Sequence, residues 1–364
     1  MFKYFLLPLA LFFQELQAPP PAWQLQHLAD TDALLYARAE QIFVEMSEQE
    51  RVAQMLVVAV GRYGKPKKKV AELIKNYKIG GVLLLNGGKE EFIEYVQEFD
   101  ILTRSLDALP LLYSADAEPS LIHNKIKGVR RFKNTSEIED EDESEQIALQ
   151  ICRELAEIGI KHNYAPVCDL SNSNVAIGKR SFGDELARVL AFSQAFMAAS
   201  HRNNILATAK HFPGHGFVHG DTHKQLVYID GELNEVEVYK KLIDTGFVMS
   251  IMVGHIAVQN NAQYDTQGLP ATISPVIVTK LLKEELGFDG LIVTDAMNMG
   301  AVRNIPHAPF LAAKAGCDLI LMPENEAEFI EDVLREMEQN EAFRKQIYAS
   351  IKKIIRFKVA LGLI

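Results

Sequence analysis

Ile205-Leu-Ala-Thr-Ala209 runs directly into Lys210-His-Phe-Pro-Gly-His-Gly-Phe-Val-His-Gly-Asp-Thr-His223. The first segment is apolar enough to read as a buried strand. The second crowds a lysine, four histidines and an aspartate into one stretch. Pro213, Gly214, Gly216 and Gly220 keep that stretch from being helical. Polar residues gathered on a loop just past a buried strand point to chemistry rather than packing.

The same grammar extends outward along the chain. Short apolar runs that predict strands fall at Met55–Val60, Gly81–Leu85, Leu109–Ala115, His162–Val167, Ile205–Ala209, Val248–Val253, Leu291–Thr294 and Asp318–Met322. Between them lie helical patterns at Val70–Tyr77, Glu90–Arg104, Glu145–Ile158, Leu186–Asn203, Glu235–Thr245 and Pro275–Leu286. A last one, Glu326 to Leu361, closes the chain. Several strands are apolar on both faces, as in a parallel sheet covered by helices. Eight strands alternating with helices predict an α/β fold, a single (β/α)8 TIM-type barrel, with a doubly wound open sheet as the alternative. Polar residues directly after strands favour the barrel, which gathers such ends into one mouth. They are Asp116, Asp169, Lys210 with His211, His255 and Asp295.

Composition fits one such domain. The chain has 364 residues, 48% hydrophobic and 24% charged, with a net charge of −10. No long basic stripe marks a nucleic-acid surface. Lys65–Lys69 reads as a solvated loop and helix start, and Glu137–Glu145 as a solvated loop leading into a helix. Cys152, Cys168 and Cys317 show no CxxC spacing, so neither a disulfide framework nor a zinc–cysteine site is expected. Lys3, the apolar run Tyr4–Phe13 and Ala18 occur in the order of a secretory signal peptide. Pro19–Pro21 would then be a stiff spacer. The expected division is residues 1–22 as leader and spacer and 23–364 as the barrel. The expected location is periplasmic or secreted, with cytoplasmic the alternative. No stable membrane insertion is expected, because the apolar run is too short to span a bilayer. A monomer or weak oligomer is expected.

Individual residues sharpen the picture. Asp295 ends an apolar strand, where a carboxylate is costly to bury unless used or paired. Its bland reading is a helix N-cap for the segment from Met297 onward. His211, His215, His219 and His223 recur every four residues, but the proline and glycines forbid the helix that would align them. No HExxH pattern is present, so no metal site is expected. Asp221 stands two positions from His223. Either the pair orients an imidazole for proton transfer, or it forms an Asx-type turn with an exposed histidine. Lys210, Arg180 and Asp116 offer charges for substrate hydroxyls, or surface ion pairs.

Together the segments resemble glycoside hydrolase family three, in its single-domain branch of bacterial β-N-acetylhexosaminidases. Lys210–Gly216 (KHFPGHG) and Pro270–Val302 carry the resemblance most specifically. Ile79–Val82, Tyr164–Leu170, Ile177–Gly183, Met252–Val258 and Ala315–Pro323 support it. The resemblance implies Asp295 as nucleophile and His223 as acid/base with Asp221 as its partner. It implies Lys210, His211 and Arg180 as sugar-binding residues, and Asp116 as the holder of sugar hydroxyls. It implies a retaining β-glycosidase without metal or cofactor, acting on terminal β-linked N-acetylglucosamine as in peptidoglycan fragments. Larger members carry a further domain with a carboxylate acid, and the length of this chain favours the smaller branch. One departure stands out. The family's Asp-Gln-Glu-Gly-Gly-Arg-Val run is here Asp116-Ala-Glu-Pro-Ser-Leu-Ile122, so the loop must take another path. A non-catalytic sugar-binding relative and a β-glucosidase or phosphorylase of the family are the alternatives.

Overall fold

Runs that are apolar on both faces can only be strands if both faces are covered, and in the structure they are. The computed structural model describes residue 25 and residues 33–171, 174, 176–218 and 225–364. The leader expected at residues 1–22, together with Asp221 and His223, lies outside the described residues. Six strands form one parallel sheet: β1 (Leu56–Val60), β2 (Gly81–Leu84), β3 (Leu112–Ala115), β4 (His162–Asn163), β5 (Leu206–Ala207) and, beyond β1, the late strand Ile320–Leu321. Three more form a second parallel sheet, β6 (Ala209–Phe212), β7 (Ser250–Val253) and β8 (Leu291–Thr294). Every pairing within these sheets is parallel. Only Thr208 separates β5 from β6, and parallel bridges link Val167 to Lys210 and Val293 to Leu319. The result is a curled parallel sheet wrapped by helices, a TIM-like α/β fold.

The predicted strands are all present, mostly trimmed at their ends. The run His162–Val167 keeps its first two residues in the six-stranded sheet, and Val167 alone bridges on to Lys210. The fifth run differs in the other direction. Strand pairing continues through Lys210 and His211, where a loop was expected: Lys210 pairs with Met252 and Phe212 with Val253. The Gly254 amide donates to the Phe212 carbonyl at 2.8 Å. A strand thus delivers these two polar side chains.

Helix ends follow their caps. The acidic run at Glu137–Glu145 is largely helix, since Glu141–Ile158 begins inside it. The Asp140 carboxylate accepts from the Glu143 amide at 2.7 Å, and the acids of the first turn lie at the positive end of the helix dipole. The predicted closing helix is two helices, Glu326–Gln339 and Glu341–Ala360. Asn340 breaks it, adopting an extended backbone while its side chain accepts from the Phe343 amide. Among the described residues no helix is long and apolar enough to cross a membrane.

Candidate active site

The strand ends converge on a cavity of about 140 Å³. Asp116 follows β3, Lys210 and His211 lie within β6, Asp295 follows β8, and Arg180 comes from the long connection after β4. All five line this one cavity. Five of the seven expected site residues therefore meet, and the other two, Asp221 and His223, are outside the described residues.

Lys210 is essentially unexposed, so its charge must be matched. Its Nζ lies 2.5 Å from Glu118 Oε1 and 3.1 Å from Asp116 Oδ1. Glu118 is also bound by the Arg180 guanidinium, which donates from Nε and Nη2 at 2.8 Å each. This is a bidentate pair, the strongest geometry an arginine offers. Burial pushes the Glu118 carboxyl upward, but Arg180 and Lys210 outweigh it and hold it well below the usual range. Burial opposes the charge on Lys210 too, and Glu118 with Asp116 raises its pKa above the ordinary value. Neither Lys210 nor Arg180 is a surface ion pair. Glu118 itself was not expected to have a role, although it stands two residues from Asp116 in the sequence.

Asp169 is the second carboxylate that sequence reasoning left without a role. It is fully buried. Its Oδ2 lies 2.8 Å from His211 Nδ1, and its Oδ1 accepts from the amides of His211 at 3.1 Å and His215 at 2.8 Å. Burial opposes ionisation, yet His211 lowers the Asp169 pKa. The contact holds the His211 ring by Nδ1 and fixes how the chain turns out of β6. His215 lines the same cavity.

Asp295 is half-buried at the end of β8. Its amide donates to the Val253 carbonyl at 2.9 Å, and its Oδ1 accepts from the Ala296 amide at 2.8 Å. No helix begins at Met297, as the next one is Ala308–Ala315, so the helix-cap reading fails. His255, also expected at the mouth, supports this corner from beneath. Its Nε2 meets the Ala296 carbonyl at 3.0 Å and its Nδ1 the Thr272 hydroxyl at 2.8 Å.

The departing segment after Asp116 becomes a helical turn. The amides of Leu121 and Ile122 donate to the Glu118 carbonyl, and a short helix, Ile122–Lys125, follows. Ser120 Oγ donates to the Lys179 carbonyl at 2.7 Å, tying this turn to the Arg180 segment. Lys125 consequently lines the cavity, with Nζ 3.8 Å from Asp116 Oδ2.

Buried ion pairs, a clamped histidine and a half-buried aspartate at the ends of parallel strands make a polar, charge-lined cavity. The chain belongs to glycosyl hydrolase family 3: residues 47–357 match the model of the family's N-terminal domain. It is 27% identical over 329 residues to Beta-hexosaminidase A of Pseudoalteromonas piscicida, covering 80% of this chain and 55% of that protein. It is 28% identical over 305 residues to a Beta-hexosaminidase of Vibrio cholerae serotype O1, covering 79% and 91%. The crystal structure of Beta-N-acetylhexosaminidase from Beutenbergia cavernae superposes with a TM-score of 0.77 at 25% identity, covering 87% and 99%. The chain thus spans about half of the first relative's length and nearly all of the other two.

Proposed function

We propose that the protein is a retaining β-N-acetylhexosaminidase that removes terminal β-linked N-acetylglucosamine. The observation that carries this reading is the convergence of Asp116, Arg180, Lys210, His211 and Asp295, from separate stretches of chain, on one cavity of about 140 Å³. That space suits one sugar ring rather than a chain, as removal of a terminal residue requires. The names of the relatives support the choice of sugar.

In this reading Asp295 attacks the anomeric carbon while His223 gives its proton to the leaving oxygen. The glycosidic bond breaks, an ester to Asp295 forms, and His223 then takes a proton from the water that hydrolyses it. Asp221 steadies the imidazole, whose ordinary pKa suits both duties near neutral pH. Asp116 accepts from sugar hydroxyls, and Lys210, His211 and Arg180 donate to sugar oxygens. We further infer a closed (β/α)8 barrel. The parallel bridges Val167–Lys210 and Val293–Leu319 support closure by joining the two sheets at both margins. The order of charged, apolar and small residues in the leader supports export, and peptidoglycan-type fragments fit that location.

The test is hydrolysis of a chromogenic β-N-acetylglucosaminide beside the matching β-glucoside, with wild type, Asp295→Ala and His223→Ala. Turnover of the N-acetyl sugar that collapses in both variants is the expected result. No turnover of either sugar by folded wild type would overturn the proposal.

A further inference from the structure

The loop that leaves β6 is held by a carboxylate that no step above uses. Glu235 stands just before the helix Val236–Asp244 and is 3% exposed. Its Oε1 accepts from the Leu170 amide at 2.7 Å. The Gly216 amide is shared between Oε2 at 3.0 Å and Oε1 at 3.2 Å, and the Phe217 amide reaches Oε2 at 3.4 Å. One side chain therefore joins the segment after β4 to the segment after β6.

The glycines of Pro213-Gly-His-Gly are shaped to this carboxylate. Gly214 has φ +136, and a Cβ there would stand 2.4 Å from Glu235 Cβ. A Cβ on Gly216 would stand 2.1 Å from the Leu170 carbonyl oxygen and 2.8 Å from Glu235 Oε1. Both residues must be glycine for the loop to lie against Glu235. No lysine or arginine among the described residues pairs with Glu235, and burial together with the charge on Asp169 raises its pKa. A buried carboxylate is an expensive way to fill space unless its oxygens are used as acceptors. What it supplies is a set of acceptors for amides of the chain that runs on from Phe217 towards Asp221 and His223.

We propose that Glu235 is a positioning residue for the reaction: by holding the Gly216 and Phe217 amides it anchors the segment that leads, in sequence, to Asp221 and His223. The inference rests on the reading of His223 as the acid/base. It predicts a defect in proton delivery rather than in sugar binding or nucleophilic attack.

The experiment compares kcat/KM for two N-acetylglucosaminides, one with 2,4-dinitrophenol as leaving group and one with an alkyl alcohol. For both, kcat/KM reports the step in which the glycosidic bond breaks, and only the alcohol needs a proton to leave. Glu235→Gln is expected to lower the alkyl value by about 10–100-fold and to change the dinitrophenyl value by less than about threefold. Gly216→Ala, which pushes the loop off the carboxylate, is expected to give the same signature and serves if Glu235→Gln does not fold. Equal losses on both substrates, or no loss on either, in a variant that melts like wild type would overturn the proposal. Wild type that cleaves neither substrate would overturn the hydrolase reading itself, and with it any catalytic role for Glu235.

Discussion

Replacing Glu118 with glutamine tests whether the buried ion network holds the sugar-binding groups in place. The side chain keeps its shape and one acceptor oxygen but loses its charge. In the native protein three contacts converge on it: two from Arg180 at 2.8 Å and one from Lys210 at 2.5 Å. Lys210 retains Asp116 at 3.1 Å, so Arg180 is the cation left without a charged partner. Breaking a buried pair from one side costs roughly 3–5 kcal/mol, and the retained acceptor places this case near the lower end. Unfolding entropy of about 2.1 cal/mol/K per residue makes 1 kcal/mol worth a little over 1 °C for a chain of this length, so the expected fall in Tm is about 4 °C. Lys210 would also turn towards Asp116, drawing two sugar contacts out of register. Loss of one oriented donor lowers turnover on the order of 10²-fold, and a similar fall in kcat/KM is expected. Adding Arg180→Met removes the orphaned cation. The double variant should recover most of the stability and none of the activity. Calorimetry and steady-state kinetics on the three proteins read both effects. If Glu118→Gln melts within about 1 °C of wild type and keeps kcat/KM within about threefold, the network does not do what the structure implies.

Asp295→Ala should lose turnover by at least about 10⁴-fold with an unchanged melting temperature, and comparable activity in the variant would remove Asp295 from the chemistry. Acid should act through Glu118 and Asp169, whose carboxyls lie below their ordinary values of 4.5 and 3.8 despite burial. Groups shifted this way stabilise the fold fully above those values and lose that contribution as pH falls through the folded ones. Thermal melts should therefore drop below about pH 4.5, with a shallower drop in Glu118→Gln; parallel curves would contradict the assignment. Lys358 acts with the same sign in a higher pH range, because there burial prevails. It is fully buried, its Nζ donates to Gln54 Oε1 at 2.7 Å and the Pro110 carbonyl at 2.8 Å, and burial lowers its pKa from 10.5 to about 7. Between those values the unfolded chain holds more protons, so stability should rise with pH by up to about 1.4 kcal/mol per unit. Lys358→Met should remove that slope in urea titrations at mildly alkaline pH, and an identical slope in both proteins would refute it.

The strands were legible because burial on both faces leaves one signature, a short run with no polar alternation. The convergence of Asp116, Lys210, His211 and Asp295 was legible because each stands at or near such a run's end. Strand limits were less legible. Backbone pairing decides them, and Met252 pairing with Lys210 has no local mark in the sequence. Asn340 could have been read as a helix start inside the closing pattern, since asparagine is a strong N-cap. Glu118 was missed, and Asp169 was placed at a strand end without its role, for a different reason. Their partners lie 62 and 42 residues away, and a sequence shows charges without showing which ones face each other.

The changed segment after Asp116 shows how far such a departure reaches. Two glycines and an arginine are replaced, yet the floor of the cavity does not depend on them: Glu118 meets Arg180 and Lys210 through its own carboxylate. The new residues close a helical turn on the Glu118 carbonyl and tie down through Ser120 to Lys179, so the turn braces the Arg180 segment. What changes is the rim, where the turn sets Lys125 beside Asp116. A cation there competes with Lys210 for the carboxylate that would accept from sugar hydroxyls. It also adds a donor within reach of whatever substituent the sugar presents at that edge. The physical consequence is a cavity with the ion network and Asp295 in place and with an added cation at its rim.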